Sequence, residues 1–258
     1  MIIISDTLFI GKELHFFPEL PSTNQTAFDL VSKSKPSEGT TVFTFRQTAG
    51  RGQIGSRWDS ELDKNIALSV ILYPKSLPVR KQFMLNKAVA LAVRDVVDEC
   101  LPQNYLPVCV KWSNDIYVGQ EKIAGILIQN GISGTHLQYS VIGIGLNVNQ
   151  IKFVDFVPNA TSLQLQSGHN YDLELILKQI CQKLEQYYLL LKFGHFDRLD
   201  ALYLQHLYQY QQLSLYQRLD GRVFRGTILG VTDIGRLQIL TDAKELETFD
   251  LKEIKFCL

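Results

Sequence analysis

The chain has 258 residues, 46% hydrophobic and 20% charged, with 26 Lys and Arg against 26 Asp and Glu. That profile belongs to a soluble globular protein of one large domain, or one main domain with a small satellite. A formal net charge of zero with no block of like charges excludes a protein built to coat nucleic acid, although a local patch can still hold a specific site.

The opening, "MIIISDTLFIGKELHFF", has no basic region followed by a long apolar core, and no later apolar run approaches ~18 residues. Neither a secretory leader nor a membrane span is expected, and the expected location is the cytoplasm. Cys100, Cys109, Cys181 and Cys257 are scattered with no C-x-x-C, so they read as incidental thiols. His195, in "KFGHFDRL", reads as a packed or surface residue.

A helix is predicted to open at "STNQTAFDLVSKS", capped by Ser22 or Thr23, with Ala27, Leu30 and Val31 on its apolar face. "GTTVFTFRQ" reads as a strand, and "FRQTAGRGQIGSRWDS" (45–60), which has no helical or strand period, as an open loop. "NIALSVILYP" is a second strand ended by Pro74. "KQFMLNKAVALAVRDVVDEC" is a long helix, apolar at Phe83, Val89, Ala92, Val93 and Val96. Next come "VCVKW", a hairpin from Ile116 to Gln129 turning near Gly119, and "LQYSVIGIGLNVN". Their near-continuous apolar character predicts central strands of one buried sheet. From Asp172 to Gln211 the period is helical. The remaining roughly 45 residues are short β-rich runs broken by Asp-Gly and Asp-Ile-Gly turns, which predict a small barrel. The expected division is 1–211 and 212–258.

Three stretches carry candidate chemistry. In the loop, Gly50, Gly52 and Gly55 can expose successive N–H groups to an anion. Arg51 adds a guanidinium fork, and Trp58 offers a flat face for a base or ring. A mobile surface loop with an anchored tryptophan fits equally well. In "VKWSNDIYVGQEKIAGILIQ" (110–129), Lys111, Asn114, Asp115 and Lys122 gather on one hairpin. Two lysines and a carboxylate suit a phosphate with a divalent metal; an Asn-Asp turn with solvated lysines is the alternative. "VIGIGLNVN" (141–149) fails as a dinucleotide fingerprint for want of a third glycine and a helix. It remains a strand where Gly143 and Gly145 admit a ligand to the backbone and Asn147 can meet a base edge, or else a bulged core strand.

Taken in order, "STNQ", "QTAGRGQ…W", "KWSNDI…EKIAGIL" and "GIGLNVN" resemble biotin–protein ligases over about residues 20–150. The resemblance implies an α/β (α+β) fold: a mixed β-sheet flanked by helices, akin to class II aminoacyl-tRNA synthetases, followed by an SH3-like barrel. It implies ATP and magnesium as cosubstrate and metal, biotin as substrate and a biotin carboxyl carrier domain as protein partner. A homodimer paired through the main sheet is a further implication. It places biotin's ureido ring at Ser22, Thr23, Asn24, Gln47 and the backbone around Gly50 and Arg51. The thioether ring and valeryl chain fall at Gly125, Leu127, Ile144 and Gly145, and the carboxylate at Lys122. ATP or the adenylate falls to Arg51, Gly52, Gln53, Trp58, Lys111, Asn114 and Asn147, with the metal on Asp115. Lys122, Arg51 and Lys111 are the implied catalytic cations.

Gln53 follows the loop's second glycine, where many family members carry arginine; Ile54 comes next, and Ser56 stands at another position where arginine is common. The implied consequence is a weaker hold on the adenylate phosphate unless Arg57 substitutes. Ser113 stands where proline is usual. Only 21 residues precede Ser22, too few for the winged helix-turn-helix that some members carry, so a catalytic-only form is expected. Two other readings are a lipoate or octanoate ligase and a non-catalytic biotin-binding regulator.

Overall fold

A computed structural model describes residues 2–53, 55–102, 105–154 and 159–257. In chain order the elements of its first part are β1 (Leu14–Phe16), α1 (Thr23–Lys33), β2 (Thr41–Thr44), β3 (Gly50–Arg51), β4 (Arg57–Trp58), β5 (Ile66–Leu72), α2 (Phe83–Cys100), β6 (Val108–Lys111), β7 (Asp115–Val118), β8 (Glu121–Ser133) and β9 (His136–Leu146). Helices α3 (Leu163–Ser167), α4 (Leu173–Lys192) and α5 (Phe196–Gln205) follow. The chain then forms β10 (Leu213–Arg218), β11 (Val223–Val231), β12 (Leu237–Thr241), β13 (Leu246–Phe249) and β14 (Ile254–Phe256).

Seven strands form one mixed sheet, ordered β1-β2-β5-β9-β8-β7-β6, parallel only at β1–β2. The alternation along β5 explains how it is covered. Ile66, Leu68, Val70 and Leu72 enter the large core with α2 and α4, while Ile71 joins Ala27 of α1 on the opposite face. All seven residues of β5 are therefore buried. The expected central position holds for β8 and β9 but not for β6, which lies at the sheet edge. Its outer side is covered by backbone: Val110 N–H donates to His206 O at 2.8 Å, and Tyr208 N–H donates to Val110 O at 2.9 Å. That covering is why an edge strand reads as apolar as a central one.

The last five strands form an open antiparallel sheet, ordered β13-β12-β11-β10-β14. The expectation was a small barrel; among the described residues β13 and β14, at the two edges, are not bonded to each other. The sheet is tied to the first by the Trp112 indole, which donates to Gly235 O at 2.9 Å. The loop 45–60 also differs from expectation, because β3 and β4 pair as a two-stranded flap, Gly50 against Trp58 and Arg51 against Arg57. Strands of two residues leave no period to read. Ile54, named among the loop's departures, lies outside the described residues. The four cysteines are free. No helix among the described residues is long and apolar enough to cross a membrane.

Candidate functional site

The face of the sheet that carries α1 is built from small residues where three strands lie side by side. Ser69 of β5 pairs with Gly143 of β9, which pairs with Leu127 of β8; Ala67 pairs with Gly145, which pairs with Gly125. Period-two alternation puts all six positions on that face, three of them glycines without a side chain. α1 covers the neighbouring Ile71 and Val141 but stops at its N-terminus, leaving the glycine pair as a floor. Nothing larger than glycine fits there. A Cβ on Gly143 would lie 2.2 Å from Asn24 Oδ1, and one on Gly145 would lie 2.4 Å from Trp58 Cε2.

Above the floor lies a cavity of about 210 Å³. At the α1 end it is lined by Ser22, Thr23, Asn24 and Gln47. These form a hydrogen-bonded set: Thr23 N–H donates to Gln47 Oε1 at 3.0 Å, and Asn24 Nδ2 donates to Leu127 O at 3.3 Å. Ser22 caps α1 through a long 3.5 Å bond from Gln25 N–H. Ser69 was not singled out in the sequence, yet it joins the set at 2.8 Å from Thr23 Oγ1 and 2.5 Å from Asn24 Oδ1. A serine in a buried strand gives one signal, its polarity among apolar neighbours, and α1 supplies the rest through tertiary contact. Ser69→Ala is expected to raise KM for the substrate bound here roughly 5-fold, about the worth of one hydrogen bond, with kcat little changed. Steady-state kinetics with the cosubstrate saturating would check it.

The cavity's other lining is ionic. Arg51, Arg57, Lys122 and Lys252 reach it, against the single carboxylate of Asp115. Such an excess of cations over low-dielectric walls concentrates anions. Lys122 owes its place to a β-bulge. Asp115 pairs with Gly125 and Ile116 with Ala124, but Tyr117 pairs with Lys122, so Ile123 is the extra residue. Without it Ile123 would face Tyr117; with it Ile123 is fully buried and Lys122 swings to the cavity, 2.7 Å from Asp115 Oδ1. Residues 159–161 brace that strand, since Lys122 N–H donates to Asn159 O at 2.6 Å and Thr161 N–H to Lys122 O at 2.9 Å.

Several residues expected at the ligand are engaged by the protein itself. Lys111 is the cross-strand partner of Asp115, but its ammonium turns away into aromatic rings, 4.5 Å from the Tyr117 centroid, 5.2 Å from Phe256 and 5.8 Å from Tyr208. Burial pushes its pKa below the usual lysine value, partly opposed by Asp115. It holds the C-terminal strand β14 to the main sheet and does not line the cavity. Asn147 is buried too. Its Nδ2 donates to Thr161 O at 2.9 Å and its backbone N–H to Ile123 O, which fixes the segment behind Lys122, while its Oδ1 is buried without a partner among the described residues. Asn114 lines the cavity, but its carboxamide is committed to Ile126 O and to Ser113 Oγ.

In the flap, Gly52 N–H donates to Ser56 O and Ser56 N–H to Gln53 O, so these two amides close the turn. Gly50 is buried against Trp58 and does not line the cavity. Gln53 does, and it touches Ser113 at 3.5 Å, closing the flap onto the next hairpin. Trp58 was expected to face a base. Its indole lies on the Gly125–Gly145 floor, 5.8 Å from Lys122 Nζ to the ring, with its N–H buried and unpartnered among the described residues. Ile144 reaches the cavity only beside these glycines, its side chain belonging to the large core. Leu251 and Lys252, from the turn between β13 and β14, were missed altogether.

A mixed sheet with a glycine floor, a neutral polar pocket at a helix N-terminus and a cation-rich mouth under a flap defines an α/β protein that binds a small molecule together with an anion. The model of the biotin/lipoate A/B protein ligase family matches residues 16–147, 132 of the 258 residues. The bifunctional ligase/repressor BirA of Bacillus subtilis is 30% identical over 239 residues, 92% of this chain and 72% of that protein. The biotin–[acetyl-CoA-carboxylase] ligase of Mycobacterium tuberculosis is 32% identical over 153 residues, 59% of this chain and 55% of that one. Among solved structures, the biotin protein ligase from Aquifex aeolicus in complex with biotin and ATP matches with a TM-score of 0.77. The match has 22% identity and covers 95% of this chain and all of that one, a likeness of fold. The chain belongs to the biotin/lipoate A/B protein ligase family.

Proposed function

We propose that this chain is an ATP-dependent biotin–protein ligase, which converts biotin to biotinyl-5′-AMP and passes the acyl group to a lysine of a biotin carboxyl carrier domain. The observation that carries the reading is a single cavity joining a neutral hydroxyl and carboxamide set to four cations around one carboxylate. A ureido ring is uncharged and wants both donors and acceptors, which Ser22, Thr23, Asn24 and Gln47 supply, with Ser69 behind them holding Thr23 and Asn24 in place. A site of that kind rejects a molecule that leaves its polar groups unpaired, which favours biotin over a lipoyl or octanoyl chain. Leu127 and the glycine floor left open beside the Trp58 indole suit the thioether ring and valeryl chain. Lys122 then lies at the carboxylate.

A carboxylate is a poor acyl donor until its oxygen is bonded to phosphorus. Its attack on the α-phosphate of ATP forms the mixed anhydride and expels pyrophosphate. Lys122 and Arg51, with Arg57, offset charge on the reacting groups, and the flap keeps water from the anhydride. Among the described residues no group of three or more His, Cys, Asp and Glu is placed to hold a metal alone. Magnesium takes most of its ligands from phosphate and water and needs one or two carboxylates, which Asp115 fits; bound there it would neutralise phosphate charge. The acceptor lysine then attacks the acyl carbon and AMP leaves. The synthetase-like ancestry of the main sheet and the SH3-like nature of the last five strands belong to this reading as well.

Biotin-dependent exchange of pyrophosphate into ATP tests the proposal, with transfer of labelled biotin compared with labelled lipoate on each carrier domain. Silence with biotin and ATP would overturn it. The neutral Gln53 and Ser56 lead to a separate expectation: Gln53→Arg should slow escape of free adenylate roughly 2- to 5-fold, the worth of one partly exposed charge pair. Equal escape rates in variant and parent would dispose of it.

A further inference from the structure

The turn that joins β13 to β14 is more than a connection, because Leu251 and Lys252 line the same cavity as Lys122 and Arg51. We infer that Lys252 is a nucleotide-phosphate ligand delivered to the site by the C-terminal sheet. The inference rests on the ligase reading and deepens it.

Three features support it. The turn is held in one shape by its own acids: Asp250 N–H donates to Glu253 Oε2 at 2.6 Å, Leu251 N–H to Asp250 Oδ1 at 2.9 Å, and Glu253 N–H to Asp250 O at 3.1 Å. Asp250 is itself tied to Arg236 Nε at 3.4 Å. Lys252 sits at the corner with φ +65°, a left-handed conformation that glycine adopts at less cost, so a long cationic side chain is held where the backbone favours none. The whole sheet is docked by residues of the neighbouring hairpin, Trp112 bonding Gly235 O and Lys111 packing on Phe256, so the turn's position over the cavity is fixed from two sides.

Lys252 is exposed at the cavity mouth, where a charge acts on capture of an anion and on its salt dependence more than on the chemical step. The effect should therefore appear in KM for ATP and not in kcat.

The backbone supplies an unusually clean test. Lys252→Gly removes the charge while relieving the left-handed strain, so the fold is retained and a loss cannot be blamed on unfolding. Lys244, at φ +62° in the β12–β13 turn and exposed, provides the matched control Lys244→Gly. Lys252→Gly is expected to raise KM for ATP roughly 3- to 10-fold, to flatten its dependence on salt, and to leave KM for biotin within about twofold. Lys252→Arg should restore ATP binding. Titration calorimetry with a non-hydrolysable ATP analogue reads the same change without turnover. Unchanged nucleotide binding in Lys252→Gly, or an equal change in Lys244→Gly, would overturn the inference while leaving the ligase reading intact. Failure of the parent protein in biotin-dependent exchange would instead strike at that reading, and the titration would still judge Lys252.

Discussion

Lys122→Ala is expected to slow adenylate formation by roughly 100- to 1000-fold, the usual loss when one preorganised charge partner of a reaction is deleted. The geometry argues for the upper part of that range. Lys122 is 2.7 Å from Asp115, so its removal deletes a cation and also leaves a bare carboxylate facing two incoming anions, the substrate carboxylate and the nucleotide phosphates. Arg51 and Arg57 remain, but both belong to the flap and not to the braced sheet. The fold should be spared. The backbone bonds of residue 122 to Asn159 and Thr161 survive in alanine, and the side chain is 27% exposed. Single-turnover formation of adenylate, followed by pyrophosphate release, is the measurement. A near-normal rate would remove Lys122 from the chemistry.

The same residue shows where sequence reading reaches its limit. Hairpin residues 116–129 were legible from apolar runs and the Gly119 turn, and Lys122 could be drawn near Asp115 from the turn's length. The extra residue at Ile123 could not, because "EKIAG" has no alternation to interrupt. Yet the bulge decides which of Lys122 and Ile123 faces the cavity. The major helices were legible from their apolar residues: α4 buries one long stripe, and α2 is buried nearly all round through its first half. The pairing of the flap, the edge position of β6 and the openness of the last sheet depend on contacts between segments far apart in the chain, and left no local mark.

Residues that are neighbours in a motif are not all neighbours at the cavity. Within "KWSND", Asn114 and Asp115 reach the cavity, while Lys111 and Trp112 hold the C-terminal sheet. A strand that leaves the core can serve both tasks because its side chains diverge to two partners. That division links the two sheets physically. Residues that dock β14 flank those that line the site, so the turn bearing Lys252 and the hairpin bearing Lys122 are kept in mutual register. Ser69 was invisible for the opposite reason: it lies in an otherwise ordinary buried strand, and only the arrival of α1 turns its hydroxyl into part of a polar pocket.

Gly145→Ala should cut kcat/KM for biotin roughly 100-fold while the protein stays folded, the scale of loss expected when a reacting group is displaced by about 1 Å. The added methyl would sit 2.4 Å from Trp58 Cε2 and 2.7 Å from its Nε1, so ring and methyl cannot share the floor. β9 cannot yield, because it is bonded on both sides along its length to β5 and β8. The flap can, as β3 and β4 are two residues each and pair only with one another. Strain therefore passes into the flap, lifting Trp58 and with it the adjacent Arg57 and its partner Arg51. The variant should bind biotin weakly and also leak adenylate, because the roof that excludes water no longer seats. Thermal unfolding should move little, since the displaced ring lies outside the hydrophobic core. Substituting Trp58 with a smaller apolar residue alongside Gly145→Ala should recover part of the biotin affinity, with the two changes coupled and not additive. If Gly145→Ala alone bound biotin and retained adenylate like the parent, the indole's seat on the glycine floor would have no part in the reaction.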